Sequence, residues 1–449
     1  MSDVPSFETN QLMPDLSKRL IKLAAPLVIG GLGVALLHLG QTYIFGHHPK
    51  SSQLFALSVM QPFFFLFIAV MEAVAITNQV VAAKASQDRP HRRAVISTAA
   101  LSVVVATLVV SLACLFLPLR SYLDFGDSVG GQTAREILPM WFLSLAPFAV
   151  FEVVNAGLRG IGRTKEAMLI MMALVLLNLL TVYYLVTVQG FGIEAVVWAN
   201  WTVPLVLAIP AALMLVRACR GNSEPQRPPL PIFLPIMLGA VGGPIFISMI
   251  SVFISSIIIF PFLTAMGPEN TSAFLVIMRV RALMVIPAVA LGTALAILMN
   301  QRSDAMDDAD KRWLLMRGLQ VATVVYIAFT LLGAVVYDHV FRWMLVDDAV
   351  LGVILAVKPA VIATFLMVPL VAMLQTLLEQ LGRGFLVVLS TIVIELLTVG
   401  LLLMIQSSNM TINTIMAVVL VNAAAYLAIL LMDAIVNQRK LGRFVGEMA

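Results

Sequence analysis

Charge is what this sequence has least of. Only 12% of its 449 residues are Asp, Glu, Lys or Arg, 61% are hydrophobic, and the mean hydropathy is +0.99. A water-soluble chain of this length cannot hide so much apolar surface, because surface falls too slowly with volume. Most of it must therefore face lipid. Cysteine is nearly absent as well: Cys114 sits in an apolar run and Cys219 at a basic edge. That excludes a disulfide framework and a cysteine metal centre. His47 and His48 have no Cys or acid at ligand spacing, so neither a metal nor a cofactor is expected. No cluster of His, Asp, Ser or Cys at catalytic spacing supports an enzyme. The net charge of +4 gives no reason to expect nucleic acid, since basic residues in membrane chains mostly mark topology. The polar opening, Met1 to Ser17, has no apolar core of its own and does not read as a cleaved signal peptide.

What the sequence has is long apolar runs. A bilayer core of about 30 Å takes about 20 residues of helix. Twelve runs qualify: 20–46, 54–83, 94–118, 134–157, 167–188, 193–217, 232–265, 272–299, 314–341, 354–380, 385–406 and 411–436. Lys and Arg concentrate at the amino terminus, in the even-numbered connections and in the tail, for example at Lys18, Arg92, Arg159, Arg163, Arg220, Arg302, Arg383 and Arg439. The odd-numbered connections are nearly free of them. Alternation of this kind fits an even number of helices with both termini in the cytoplasm.

The chain also repeats itself. Leu158-Arg-Gly-Ile-Gly-Arg163 leads to Leu177-Asn-Leu-Leu-Thr-Val182, and Leu378-Glu-Gln-Leu-Gly-Arg383 leads to Ile394-Glu-Leu-Leu-Thr-Val399. Thr77-Asn78-Gln79 is echoed by Met299-Asn300-Gln301, and Pro26 by Pro244. A displacement near half the chain marks an internal duplication. The proline-rich connector between the copies, around Pro225 to Pro231, falls where such a duplication would be joined. The expected fold is all-α: a polytopic membrane protein with twelve transmembrane helices in two pseudo-symmetric six-helix bundles. The expected domains are residues 1–218, a cytoplasmic linker 219–231, and residues 232–449. Six helices per copy makes this a parallel repeat, with a cleft between the bundles.

At this point the residues resemble a known family. Ala25-Pro26 to Gly30 followed by Thr42-Tyr-Ile-Phe-Gly46, the Leu158–Arg163 connection, Leu177-Asn178 and the Gly190-Phe-Gly-Ile193 turn are similar to multidrug and toxic compound extrusion (MATE) transporters. So are Arg279, Pro287, Leu291-Gly292-Thr293 and Gln301 in the second copy. The resemblance implies secondary active export by a rocker-switch of two lobes, driven by proton or sodium influx. It also implies a small-molecule cargo, a monomer and a multi-pass location in the plasma (inner) membrane. A lipid-linked oligosaccharide flippase of the wider superfamily is the alternative. The chain departs from the family's pattern in its acids. Gln41 stands where many members carry an aspartate, Val182 stands for a second, and Val252 and Val368 occupy the acidic places of the carboxy lobe. Asn178 survives from the amino-lobe cation site, and the usual sodium site is left without its carboxylates.

Acids inside membrane spans are costly and point to function. Glu72, Glu152, Glu379 and Glu395 are such acids. Glu395 matches Asn178 by motif and reads either as a proton carrier or as a structural carboxyl. Glu152 shares a helical face with Asn155 and lies about two turns before Arg159. Glu72 should line the cleft if the family fold holds. Glu379 should pair with Arg383, four residues on. His38, one turn before Gln41, is either a proton site or a neutral histidine bonded to a carbonyl. Arg281 lies within a span and would favour anionic or zwitterionic cargo. Breaks in the helices are expected at Pro26, Pro62, Pro204, Pro244 and Pro287.

Overall fold

The computed structural model describes residues 9–46, 51–85, 92–121, 129–220, 230–251, 254, 268–301, 308–344, 348–405 and 411–437. The amino-terminal half contains α1 (Thr9–Gly46), α2 (Ser51–Lys84), α3 (Arg92–Leu119), α4 (Val129–Ser144), α5 (Ala146–Gly160), α6 (Thr164–Thr187) and α7 (Glu194–Ala218). The carboxy-terminal half contains α8 (Leu230–Met237), α9 (243–251), α10 (Pro268–Gln301), α11 (Asp308–Met344), α12 (Asp348–Ala356), α13 (Lys358–Leu378), α14 (Gly384–Met404) and α15 (Ile412–Val436). No strand occurs among the described residues. Of the connector 219–231, residues 221–229 lie outside the described residues, as do His47, His48 and Val252.

Eleven stretches among the described residues are long and apolar enough to cross a membrane. The longest, Lys358–Met404, has 47 residues. At about 1.5 Å per residue a straight helix of that length would be more than twice as long as the bilayer core is thick. It is not straight: Leu381 and Gly382 leave helical geometry, with Gly382 at φ +84°. The sequence reading of separate runs ending at 380 and starting at 385 reflects this break. The outer surface is lipid-like. Along α11, Val324, Leu331, Leu332 and Val335 are all exposed, a contiguous apolar face that only acyl chains would tolerate.

Each half builds its own core. In the first, Phe67, Phe116, Trp141 and Phe142 pack in one aromatic cluster, with Phe116 and Phe142 centroids 5.1 Å apart. In the second, Leu295, Leu374, Leu377 and Tyr426 close α10, α13 and α15 around one another. The duplication is visible in backbone geometry. Gly162 has φ +83° and Gly382 φ +84°, among only three positive-φ glycines in the described chain. In the first copy, Arg163 N–H donates to Leu158 C=O and Gly162 N–H to Arg159 C=O. This Schellman closure needs a left-handed residue that only glycine adopts cheaply.

The breaks follow the proline expectation only in part. Pro204 and Pro287 lie within continuous helices. The π-turn Leu238–Gly242 ends two residues before Pro244, and the other described breaks fall at Leu145, at Val357 and at Gly382. Leu145 and Val357 each precede a helix with proline in its first turn, Pro147 and Pro359, where the missing N–H costs nothing. The two cysteines are free, and burial pushes the Cys219 thiol up to about 11.

Candidate functional site

The two halves meet at the end where the basic connections lie. Helix α1 sends Leu20 and Ala24 into the core of the second half, while Val80 and Val81 of α2 pack on Phe233, Met237, Val241 and Ile245. Arg93 lies over the Phe233 ring, 4.8 Å from its centroid. Two hydrogen bonds cross between the halves here. Gln79 Nε2 donates to Gln380 Oε1 at 2.7 Å, and Gln301 Nε2 donates to the Gly160 carbonyl at 2.9 Å. Gln79 and Gln301 hold the same place in the repeated Asn-Gln motif, and Gly160 and Gln380 the same place in the repeated turn. The crossing is therefore reciprocal, as a pseudo-two-fold axis requires.

A charged pair is attached to this crossing. Glu152 Oε1 lies 2.6 Å from Arg159 Nη1, with side-chain exposures of 6% and 16%. Arg159 Nε donates to Gln79 Oε1 at 3.1 Å, and Gln380 Nε2 donates onward to Thr293 Oγ1 at 3.3 Å. Since a guanidinium can only donate, it turns the Gln79 oxygen toward itself and leaves the Gln79 amide nitrogen for the other half. Glu72, half-buried on α2, is within electrostatic reach of both Glu152 and Arg159. Glu152 Oε2 and Asn155 Oδ1 are buried without a hydrogen-bond partner.

Deeper in the first half, Gln41 Nε2 donates to Asn178 Oδ1 at 3.0 Å and Asn178 Nδ2 to Asn200 Oδ1 at 3.4 Å. Asn200 reaches Ser144 Oγ at 3.5 Å, and Ser144 donates to the Trp141 carbonyl. Gln41, His38 and Asn200 line a small cavity closed by Phe64, Trp141 and Phe148. His38 meets the Phe64 ring edge-on at 4.8 Å. Val182, in the place of the second aspartate, is fully buried and adds no oxygen. The network is built of neutral groups. Among the described residues no group of three or more His, Cys, Asp or Glu could hold a metal.

In the second half, Arg281 and Glu395 are within electrostatic reach of each other, and Arg281 Nη1 is buried without a hydrogen-bond partner. At Glu379 the sequence expectation is corrected. The expected pairing with Arg383 does not form: Glu379 accepts from Gln375 Nε2 at 3.2 Å, and Arg383 binds both oxygens of Asp433 through Nε and Nη2. The break at Gly382 takes residues 379 and 383 out of helical register, so four-residue spacing no longer brings them together. The sequence reading missed Gln380, Asn200, Ser144 and Asp433 as site groups. Gln79 and Arg159 were visible in the repeat, but not as partners.

Known proteins share this arrangement of helices. Residues 26–184 match the MatE family model. An outward-facing multidrug resistance MATE transporter of the MOP superfamily superposes with a TM-score of 0.83 at 16% identity, covering 94% of this chain and 96% of its own. The chain has the MATE fold. A mutant form of a Vibrio cholerae MATE transporter matches at TM-score 0.82 and 15% identity, over 95% and 98% of the two chains. A MOP superfamily transporter from Pyrococcus furiosus, described as having a binding pocket of reversed polarity that suggests a different function, matches at 0.80 and 17%, over 94% and 96%. A comparison with curated proteins finds no match. Within the MATE fold, the neutral Gln41–Asn178–Asn200 network lies in the first half, and the Glu152–Arg159–Gln79 chain lies where the halves touch.

Proposed function

We propose that this chain is a secondary active transporter of the MOP superfamily that exports amphiphilic small molecules by rocker-switch alternating access. It works as a monomer in the plasma (inner) membrane, with residues 1–218 and 232–449 as lobes and the basic end in the cytoplasm. The observation that carries this reading is the reciprocal crossing of Gln79–Gln380 and Gln301–Gly160. Two duplicated halves joined at one end by these hydrogen bonds and by apolar packing of α1 and α2 on the other half can part there and close at the other, which is what alternating access requires.

Proton coupling is favoured over sodium by the oxygen donors. Sodium, like other hard cations, takes several oxygens and usually a carboxylate. Gln41, Asn178 and Asn200 offer amides that are already bonded to one another. Glu395 in the second half and the neighbouring Glu152 and Glu72 in the first are carboxyl groups within or beside the spans, which suits protons. Arg281, half-buried with its Nη1 enclosed and without a hydrogen-bond partner, favours an anionic or zwitterionic group on the cargo.

Purified protein in liposomes, loaded with a cationic or an anionic dye, tests this under a pH gradient and under a sodium gradient. We expect the pH gradient alone to drive transport, and Glu395→Gln to lose most of it. Sodium-driven transport with a silent Glu395→Gln would overturn the proton assignment. Movement of lipid-linked sugar with neither gradient would favour the flippase.

A further inference from the structure

We infer that the basic end of the first half carries a binding site for an anionic phospholipid headgroup, held by Arg163, Arg217 and Arg220 with Arg92 and Lys165 beside them. The site lies where the two copies of the duplication differ. In each half a left-handed glycine is followed by an arginine, Gly162 by Arg163 and Gly382 by Arg383. In the second half the last helix, α15, supplies Asp433, whose carboxylate accepts from both Nε and Nη2 of Arg383. Asn437 donates to the same carboxylate, so the anion for this arginine is built in. The last helix of the first half, α7, has no acid after Glu194 in its first turn. Arg217 lies in its last turn and Arg220 just beyond it.

These helix ends lie together. Ala94 of α3, Ile161 of the turn and Cys219 beyond α7 belong to one buried cluster. A Cβ on Gly157 of α5 would lie 3.2 Å from Leu215 of α7, and the Cys219 thiol is within electrostatic reach of Arg163. Arg92 opens α3, Arg163 and Lys165 flank the start of α6, and Arg217 and Arg220 close α7, all of them exposed. Two neighbouring cations are committed elsewhere, Arg93 over Phe233 and Arg159 to Glu152. Among the described residues Glu166 is the only acid on these ends. It lies 2.7 Å from Arg163, but the pair is 45% and 34% exposed, a surface contact of small worth.

A phosphate diester supplies what Asp433 supplies in the other half. Its oxygens match the fork of a guanidinium, and one phosphate can bridge two arginines. The start of α6 has no side-chain cap, which leaves its first-turn N–H groups open to the same anion. A lipid fits better than a soluble anion. Leu169 of α6 and Leu213 and Val216 of α7 are exposed within two turns of the cations, where acyl chains would lie. Basic side chains grouped at a membrane surface select anionic headgroups over neutral ones. Which leaflet supplies the lipid follows from the orientation proposed above; the site itself does not depend on it.

Native mass spectrometry of the full chain in detergent micelles reads the lipid retained when phosphatidylglycerol or phosphatidylcholine of the same acyl chains is added. We expect phosphatidylglycerol to be held in preference. Each basic residue beside an anionic headgroup is worth about a five-fold change in affinity, so Arg217→Gln/Arg220→Gln should weaken retention about 25-fold. Arg312→Gln/Arg317→Gln, at exposed cations on the same end of the second half, should leave it unchanged. Glu166→Gln, which frees Arg163, should strengthen it. No preference for phosphatidylglycerol, or equal losses in the two arginine pairs, would overturn the site. Displacement of the lipid by glycerol phosphate at equal concentration would mark a soluble-anion site and overturn the lipid. Retention is measured without a gradient, so failure of the antiport reading leaves it standing. Orientation is read separately, by a membrane-impermeant thiol reagent on Arg220→Cys, with Cys114→Ser and Cys219→Ser, in intact and lysed cells. Labelling only after lysis supports the cytoplasmic leaflet; labelling of intact cells moves the same site to the outer leaflet and overturns the orientation alone.

Discussion

Arg159→Ala is expected to destabilise the protein by about 3–5 kcal/mol, the cost of leaving a buried carboxylate without its partner. The pair is not of the surface kind, for which about 0–1 kcal/mol would be the range. Glu152 and Arg159 side chains are 6% and 16% exposed, so water screens little of their interaction. Two further groups lose out when the guanidinium goes. Gln79 Oε1 loses its donor, and Glu72 and Glu152 lose the cation within electrostatic reach of both. The double variant Arg159→Ala/Glu152→Leu should recover much of the loss, since it removes the stranded charge along with its partner. Equilibrium unfolding in mixed detergent micelles reads both values. A single-variant cost below about 1 kcal/mol would mean the pair is solvated like a surface ion pair.

Gly160→Ala is expected to cost about 1–3 kcal/mol through overpacking and to impair transport. A Cβ at Gly160 would lie 2.4 Å from the Gln79 carbonyl oxygen and 2.8 Å from Ala82 Cβ. The obstacle is mainly backbone, which cannot rotate away as a side chain can, so α5 and α2 must separate. Separation moves Gln79 away from Gln380 and shifts the Gly160 carbonyl away from Gln301. Gly400→Ala is the control. It too lies in a helix, but its Cβ would meet nothing within 4 Å, and a neutral or slightly stabilising effect is expected. Equal losses at both positions would point to general helix sensitivity, not to the α2–α5 contact.

The features that sequence made legible were those carried by periodicity and repetition. Apolar runs announced the helices, and the repeated Leu-x-x-x-Gly-Arg turn announced a structural duplication that Gly162 and Gly382 realise with nearly equal φ. The breaks at Leu145 and Val357 were not legible, because proline marks the start of the following helix and not the bend itself. Side-chain partners were less legible still. Gln79 and Gln380 are 301 residues apart and Arg383 and Asp433 are 50 apart, so no local spacing rule can pair them. Where a spacing rule was applied across a turn, at Glu379 and Arg383, the turn itself defeated it. Within one unbroken helix, Glu152 and Arg159 kept the register their spacing implied.

Alternating access through these two halves requires the basic end to open during transport. Gln79→Cys/Gln380→Cys, with Cys114→Ser and Cys219→Ser, can be bridged by a short bis-methanethiosulfonate reagent and released by reductant. In liposomes under a pH gradient, the bridged protein should lose dye transport and regain it on reduction, while either single cysteine treated alike should keep the activity it had before treatment. Undiminished transport by the fully bridged protein would contradict alternating access through this end.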